Sequence, residues 1–451
     1  MIRHNLPGLL AVVIGLICFQ AAPARSLEIQ RVISPGGIEA WLIEDHKIPV
    51  IAVQFSFEGG SGVESADKQG LACMTASLLD EGAGELDSQA FARRLQDEAI
   101  SVDFNTNSDS FKGSLKTLSW NQDSAFELMA LALTRPRFDA EAVERIRDAI
   151  ISAIRQEQGD PNKVAQHAFY AALLPDHPYG RNELGTVESV AALSEADLRS
   201  FVNRQFARDR LLVAVTGDIR PDQLGPALDR LFGGLPATAG AVDIPEIAQH
   251  RTGETITVTM PIGQTVFMLG QQGIKRNDPD WFPAYIMNYV LGAGGFSSRL
   301  TEEVREKRGL TYGVYSHLVT YDHAALIMVG GSTVNAKAGE TLALIKQEWT
   351  RMAEGGVTEK ELANAKTYLT GSFPLQFTSA RAIADIVLQV RRDRLGQDYF
   401  KRRDGLIEAV TSDDVKRVAK RLLNAATLTT VMVGQPNFAD NSPTRPVSNT
   451  P

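Results

Sequence analysis

The chain carries two cysteines in 451 residues, Cys18 and Cys73. If a leader carrying Cys18 is removed, no intramolecular disulfide is possible, and the core must supply the stability alone. Runs of basic residues are absent, with 46 Lys and Arg against 54 Asp and Glu and a net charge of −8. That balance argues against nucleic acid or an anionic membrane as a partner. No apolar run approaches the ~20 residues of a membrane-spanning helix. The sequence has no lysine-bearing phosphate loop, no dinucleotide fingerprint and no Ser-His-Asp order signal. Its Gly292–Gly295 run, GAGG, has neither the spacing nor the lysine a phosphate site uses. Metal-binding spacings are missing as well. His46, His167, His177, His250, His317 and His323 form no i, i+4 pair on a helix, and no cysteine accompanies them.

What is present begins with a targeting segment. Arg3 and His4 precede an apolar run from Leu9 to Phe19, followed by Ala22-Pro23-Ala24, a small-x-small cleavage site. Residues 1–24 are thus expected to be a signal peptide, and the mature protein to be periplasmic or otherwise exported, with no membrane attachment. The length exceeds one ordinary core and predicts at least two domains. Alternating apolar patterns predict strands over 39–44 and 50–57 and a hairpin over 101–118. Helical periodicity covers 69–79, 88–99, 123–133 and 140–158.

The chain then repeats itself. The segment from Ser194, SEADLRSFVNRQFARDRLLVAVTGDI, aligns without a gap on TSDDVKRVAKRLLNAATLTTVMVGQP from Thr411. Each copy reads as a Ser/Thr-capped helix followed by a buried strand that ends in glycine, Gly217 and Gly434. A repeat of domain length implies two similar domains rather than a solenoid. The expected organisation is α+β, with domains at 25–236 and 253–436, a linker at 237–252 rich in Pro and small residues, and a disordered tail at 437–451.

The stretch GAGGFSSRLTEEVREKRGLTYGVY, residues 292–315, carries the functional signal. A glycine-rich loop leads to Ser297 and Ser298, either of which can cap the helix that follows. Gly309 ends that helix and turns the chain into a strand. Arg305 in the last helical turn and Tyr312 in the strand could present a guanidinium and a phenol to one carbonyl oxygen. Equally, the arginine could serve the helix dipole or pair with Glu302, and the tyrosine could be core.

This stretch, with Gly70-Leu71-Ala72, His177-Pro178-Tyr179-Gly180, Thr216-Gly217-Asp218 and the segment 395–415, resembles the pitrilysin/insulinase-type zinc peptidases, the inverzincins. The resemblance implies two homologous α+β domains, mixed or antiparallel sheets with helices packed on them, facing each other across a peptide-binding cavity. It also implies that Arg305 and Tyr312 are the family's substrate-holding pair. Active members carry H-x-x-E-H after the G-L-A triplet, with two zinc ligands and a general base. Here Cys73 and Ser77 stand at the two histidine positions and Ala76 at the base. The third ligand's place falls near Ser152 and Ala153. On this resemblance the chain has no metal or catalytic residue of its own. It is expected to be the non-catalytic, substrate-binding subunit of a heterodimer, lending Arg305 and Tyr312 to a zinc-binding homologous partner that hydrolyses peptides. The alternative is a structural or peptide-binding homologue acting as a homodimer, with no enzymatic duty.

Overall fold

The computed structural model describes residues 28–240, 244–247, 253–438 and 445–447. The expected leader lies outside the described residues, as do parts of the 237–252 linker and most of the 437–451 tail.

Two six-stranded sheets with packed helices make an α+β protein. In the N-terminal half, β1 (Gln30–Ile33), β2 (Glu39–Glu44) and β3 (Val50–Glu58) come first. A two-stranded ribbon of β4 (Gly82–Ala83) and β5 (Leu86–Asp87) stands apart from the main sheet. The sheet is completed by β6 (Ser101–Thr106), β7 (Ser110–Leu118) and β8 (Leu211–Gly217), in the order β1-β2-β8-β3-β7-β6. The C-terminal half contributes β9 (Thr255–Thr259), β10 (Gln264–Gln272), β11 (Thr311–Thr320), β12 (Ala325–Val334), β13 (Thr429–Gly434) and β14 (Arg445–Val447). Their order is β11-β12-β10-β13-β9-β14.

The two sheets are wired alike. In each, an edge hairpin (β6–β7, β11–β12) lies antiparallel to the central strand (β3, β10). The late strand (β8, β13) pairs antiparallel with that centre and parallel with the strand that precedes the centre in the chain (β2, β9). The aligned sequence repeat forms the corresponding parts. Ser194 caps helix Glu195–Gln205 and Thr411 caps helix Ser412–Leu422, each in a reciprocal box with an aspartate three residues on. Gly217 and Gly434 end the strands at φ 135° and 142°. A side chain at 217 would meet the Val50 carbonyl at 2.0 Å.

Alternation along the strands buries both sheet faces. Ile51, Val53, Phe55 and Phe57 point into the core of the N-terminal half, and Phe267, Leu269, Ile327 and Val329 into that of the C-terminal half. The opposite faces are covered reciprocally. Helix Pro161–Leu173, from the N-terminal half, lies on β10 and β13 of the other sheet. Its Val164, Ala165, Phe169 and Leu173 cluster with Val266, Val431 and Val433. Helix Ala380–Arg392, from the C-terminal half, lies on β3 and β8, where Ile383, Val387 and Leu388 meet Trp41, Ile43 and Ala214. Arg391 completes this contact by donating to the carbonyls of Glu39 (2.9 Å) and Val213 (2.8 Å).

The structure departs locally from the sequence expectations. The first helix of the N-terminal half spans Leu71–Ala76, shorter than the expected 69–79. The segment after Ser298 winds as a π-type turn over Thr301–Glu306 rather than a regular α-helix. Within the stretch expected to be a disordered tail, Arg445–Val447 pairs with β9. An open sheet edge accepts any extended segment through its backbone, with no side-chain pattern required.

Gly270 leaves the space that the Phe169 ring fills, since a side-chain carbon there would lie 2.6 Å from the ring. Phe169→Ala should therefore cost about 3–5 kcal/mol. Chemical denaturation followed by tryptophan fluorescence is expected to show one transition shifted for the whole chain. A transition at the wild-type midpoint would show that the cross-packed helix does not hold the halves together.

Candidate functional site

Two regions carry the sequence-derived residues. The first is helix Leu71–Ala76, which packs against helix Ala140–Gly159. Gly70 opens it in the left-handed region at φ 88°, where a side chain would strike the Leu184 carbonyl at 2.4 Å. Glu64 holds the helix N-terminus, its buried carboxylate accepting from the N–H groups of Gly70 (3.0 Å) and Ala72 (2.6 Å). Burial pushes the Glu64 pKa up to about 8 against the pull of those two donors. Sequence reading missed this residue, because a lone glutamate in an irregular segment gives no periodic signal.

None of the positions where the resemblance expects zinc chemistry fits a metal. Cys73 is half-buried, and burial, followed by the carboxylates of Glu64, Glu183 and Glu157, pushes its thiol up to about 11. The Ser77 hydroxyl donates to the Cys73 carbonyl at 3.1 Å, within its own helix. Ala76 and Ala153 offer only methyl groups. Among the described residues no group of three or more His, Cys, Asp or Glu is arranged to hold a metal ion. The described histidines are dispersed. His46 pairs with Glu44 and Asp218, His167 with Glu157 and His323 with Glu246, while His177 bonds to the Pro245 carbonyl.

The second region is the 292–315 stretch. Ser298, not Ser297, caps the turn: its hydroxyl accepts from the Thr301 N–H at 3.4 Å and pairs with the Thr301 hydroxyl at 3.0 Å. Arg299, which sequence reading passed over, is buried and bidentate on Glu361 at 2.7 Å to each oxygen, and also donates to the Gly356 carbonyl. Despite burial, these bonds hold the Glu361 carboxyl down to about 2. The anchoring arginine is thus Arg299, which frees Arg305 from any structural pairing of comparable strength. Arg305 lies over the Phe296 ring at 4.6 Å, with Glu306 3.5 Å away. Phe296 itself is 71% exposed.

Gly309, at φ 60°, closes the turn through bonds from Gly309 N–H to the Arg305 carbonyl and from Leu310 N–H to the Val304 carbonyl. The chain then enters β11 through a bulge between Thr311 and Val314. The Thr311 hydroxyl closes the bulge on Gly313 and Ser332. Tyr312 sits on this bulge and is 85% exposed, so it is not a core tyrosine. No hydrogen bond joins Tyr312 to Arg305 among the described residues. Both groups keep donors available to a ligand.

Comparison with known proteins accords with this architecture. Residues 40–187 match the family model of the insulinases, peptidase family M16, and residues 192–369 match that of the peptidase M16 inactive domain. The chain belongs to the M16 insulinase family. It is 29% identical over 370 residues to a Helicobacter pylori protein named as the non-peptidase homolog YmxG, covering 82% of this chain and 83% of that one. It is 30% identical over 311 residues to an uncharacterized zinc protease of Mycobacterium tuberculosis, covering 66% and 69%. A crystal structure of a peptidase M16 inactive domain from Pseudomonas fluorescens superposes with a TM-score of 0.86 at 27% identity, over 92% of this chain and 99% of that one.

Two outcomes are expected. The purified protein should carry no stoichiometric zinc by elemental analysis. The quadruple variant Cys73→His, Ala76→Glu, Ser77→His, Ala153→Glu should bind zinc weakly with at most trace peptidase activity, because it lacks the groups that orient the ligands. One tightly held zinc in the wild type, or full activity in the variant, would overturn this account of the M16 site. Separately, with the Cys73 pKa at about 11, only about 10⁻³ of the thiol is ionised at pH 8. Alkylation of native Cys73 should run about 10²-fold slower than in the denatured chain. Equal rates would show an ordinary thiol.

Proposed function

We propose that this M16 protein is the non-catalytic, substrate-binding subunit of a heterodimeric zinc metallopeptidase. Its partner is a homologous subunit carrying H-x-x-E-H, and the two face each other across a peptide-binding cavity. The observation that carries the reading is a contrast between two regions. Cys73, Ala76, Ser77 and Ala153 have together lost every metal and base function, while Tyr312 stands on a closed bulge with an 85% exposed ring. The name of the Helicobacter pylori relative, a non-peptidase homolog, supports the non-catalytic part of this reading.

In this reading the zinc centre belongs wholly to the partner, and this chain contributes binding. The Tyr312 hydroxyl and the Arg305 guanidinium donate to a carbonyl of the bound peptide. Arg305 swings from its weak contact with Glu306, at 3.5 Å, while Phe296 limits where it can go. Such donors also stabilise an oxyanion developing at that carbonyl.

Tyr312→Phe removes one hydroxyl from an exposed ring and should leave the fold and the assembled pair intact. Peptide hydrolysis by the reconstituted pair should fall on the order of 10²-fold, in kcat if the bond forms in the transition state and in KM if it only holds the substrate. Arg305→Ala should act in the same direction. Arg308→Ala, on the same turn but engaged with Glu303 at 2.7 Å, should do much less. Wild-type kinetics in both the Tyr312 and Arg305 variants, with matched thermal melts, would remove the pair from the mechanism.

A further inference from the structure

Where the two halves meet, away from Arg305 and Tyr312, lies a cavity of about 550 Å³. A smaller lobe of about 250 Å³ shares Asp109, Arg276, Asp322, Arg392 and Asp393 with it. The volume suits a small ligand, but the lining is charged where most ligand sites are apolar, so a charged ligand is required. Both signs are present. The cations Arg276, Arg392 and Arg394 stand opposite Asp109, Asp322 and Asp393, with Val63 and Ile244 forming a short apolar wall.

These groups are incompletely matched to one another. Arg392 lies 3.5 Å from both Asp109 and Asp322, Arg276 lies 3.5 Å from Asp393, and Arg394 lies 3.9 Å from Glu58. Comparable pairs close fully elsewhere, as Arg299 on Glu361 and Arg381 on Asp103 do at 2.7 Å, and so does Lys275 on Glu246 at 2.6 Å in the same lining. Arg392 also donates to the Ser110 hydroxyl at 2.7 Å, Arg276 to the Tyr399 hydroxyl at 2.9 Å, and Asp393 accepts from the Gln389 amide at 2.8 Å, so capacity for a further charge-assisted partner is greatest at the Asp322 carboxylate and at Arg394.

A second observation concerns Arg394. It follows the end of helix Ala380–Arg392 in the left-handed region at φ 55°, with the Leu395 N–H bonded to the Val390 carbonyl. Helix ends of this geometry favour glycine, which carries no side-chain strain there. The chain instead has an arginine whose side chain is 85% exposed and whose nearest anion is 3.9 Å away. The left-handed residue closes the helix end, as Ala99 does where the Ile100 N–H bonds to the Leu95 carbonyl; what sets Arg394 apart is a guanidinium that lines the cavity with no close anion.

We propose that this cavity binds a small zwitterion, a free amino acid or a dipeptide with both termini unblocked. Its carboxylate lies against Arg392 and Arg394, and its ammonium against Asp322 and Asp393. Val63 and Ile244 take a small aliphatic side chain. The site uses neither Arg305 nor Tyr312 and stands or falls independently of the peptidase-subunit reading.

The test is calorimetric titration of the purified protein with Ala-Ala, N-acetyl-Ala-Ala and Ala-Ala amide. The free dipeptide is expected to bind with a stoichiometry of one, and blocking either terminus to weaken binding by about tenfold or more. Arg394→Gly should weaken Ala-Ala binding by a similar factor while its Tm stays level or rises, because glycine relieves the left-handed conformation. Asp393→Asn should weaken the free dipeptide more than the amine-blocked one. No binding of Ala-Ala at millimolar concentration would overturn the proposal. So would equal binding of the blocked forms, displacement by inorganic phosphate as effective as by Ala-Ala, or wild-type affinity in Arg394→Gly.

Discussion

Everything in this molecule depends on the reciprocal exchange of one helix between its halves. Each sheet buries one face against helices of its own half and leaves the other face apolar. Val266, Val431 and Val433 on one sheet, and Trp41, Ile43 and Ala214 on the other, are shielded chiefly by a helix from the opposite half. A layer of this kind must be covered from both sides. Each fully buried side chain in the two contacts is worth about 1.5–3 kcal/mol, so separating the halves would forfeit far more than a typical domain's net stability. The halves form one body. The 292–315 stretch and the Leu71–Ala76 helix are therefore held in a fixed mutual relation.

That rigidity also bears on the segment where the resemblance expects zinc ligands. The short helix Leu71–Ala76 needs no cation to hold it. Glu64 satisfies its first N–H groups, Gly70 sets its entry angle, and Leu71, Ala72 and Met74 are fully packed. The electrostatics of this neighbourhood disfavour a further carboxylate. Three carboxylates, Glu64, Glu157 and Glu183, already act on Cys73. A glutamate retained at 153 without a dication would add another half-buried anion to that neighbourhood, at considerable cost. Alanine at 76 and 153, and small neutral groups at 73 and 77, add no further charge to that neighbourhood.

Much of this was legible in the sequence, for identifiable reasons. Period-two alternation in 39–44 and 50–57, the hairpin at 101–118 and the capping boxes at Ser194 and Thr411 are local signals, and the strands and helices follow them. The resemblance placed its motif by Gly70-Leu71-Ala72, and Gly70 does open a helix there. What the sequence did not disclose is non-local. An amphipathic helix announces that it has a buried face but not which sheet covers it, so the crossing of Pro161–Leu173 and Ala380–Arg392 could not be read. Nor could Arg299 be separated from Arg305. Both lie near the same turn, and only the distant Glu361 and Gly356 distinguish the buried anchor from the free donor.

The local irregularities of the fold also cluster where the functional argument leads. Gly294 N–H bonds five residues back to the Tyr289 carbonyl, and Lys307 N–H bonds five back to that of Glu302. Two π-type turns thus bracket the glycine-rich loop. A left-handed Gly309 and the Thr311–Val314 bulge follow within the same stretch. Each weakens regular hydrogen bonding, and none is required to close the sheet, since the repeat-related hairpin β6–β7 pairs in register without a bulge. Their common effect is directional. The widened turn leaves Arg305 half-exposed over Phe296, and the bulge keeps Tyr312 out of the sheet core. Departures from local regularity that serve no packing purpose are where function is to be sought. Here they converge on two hydrogen-bond donors aimed away from the protein's own core.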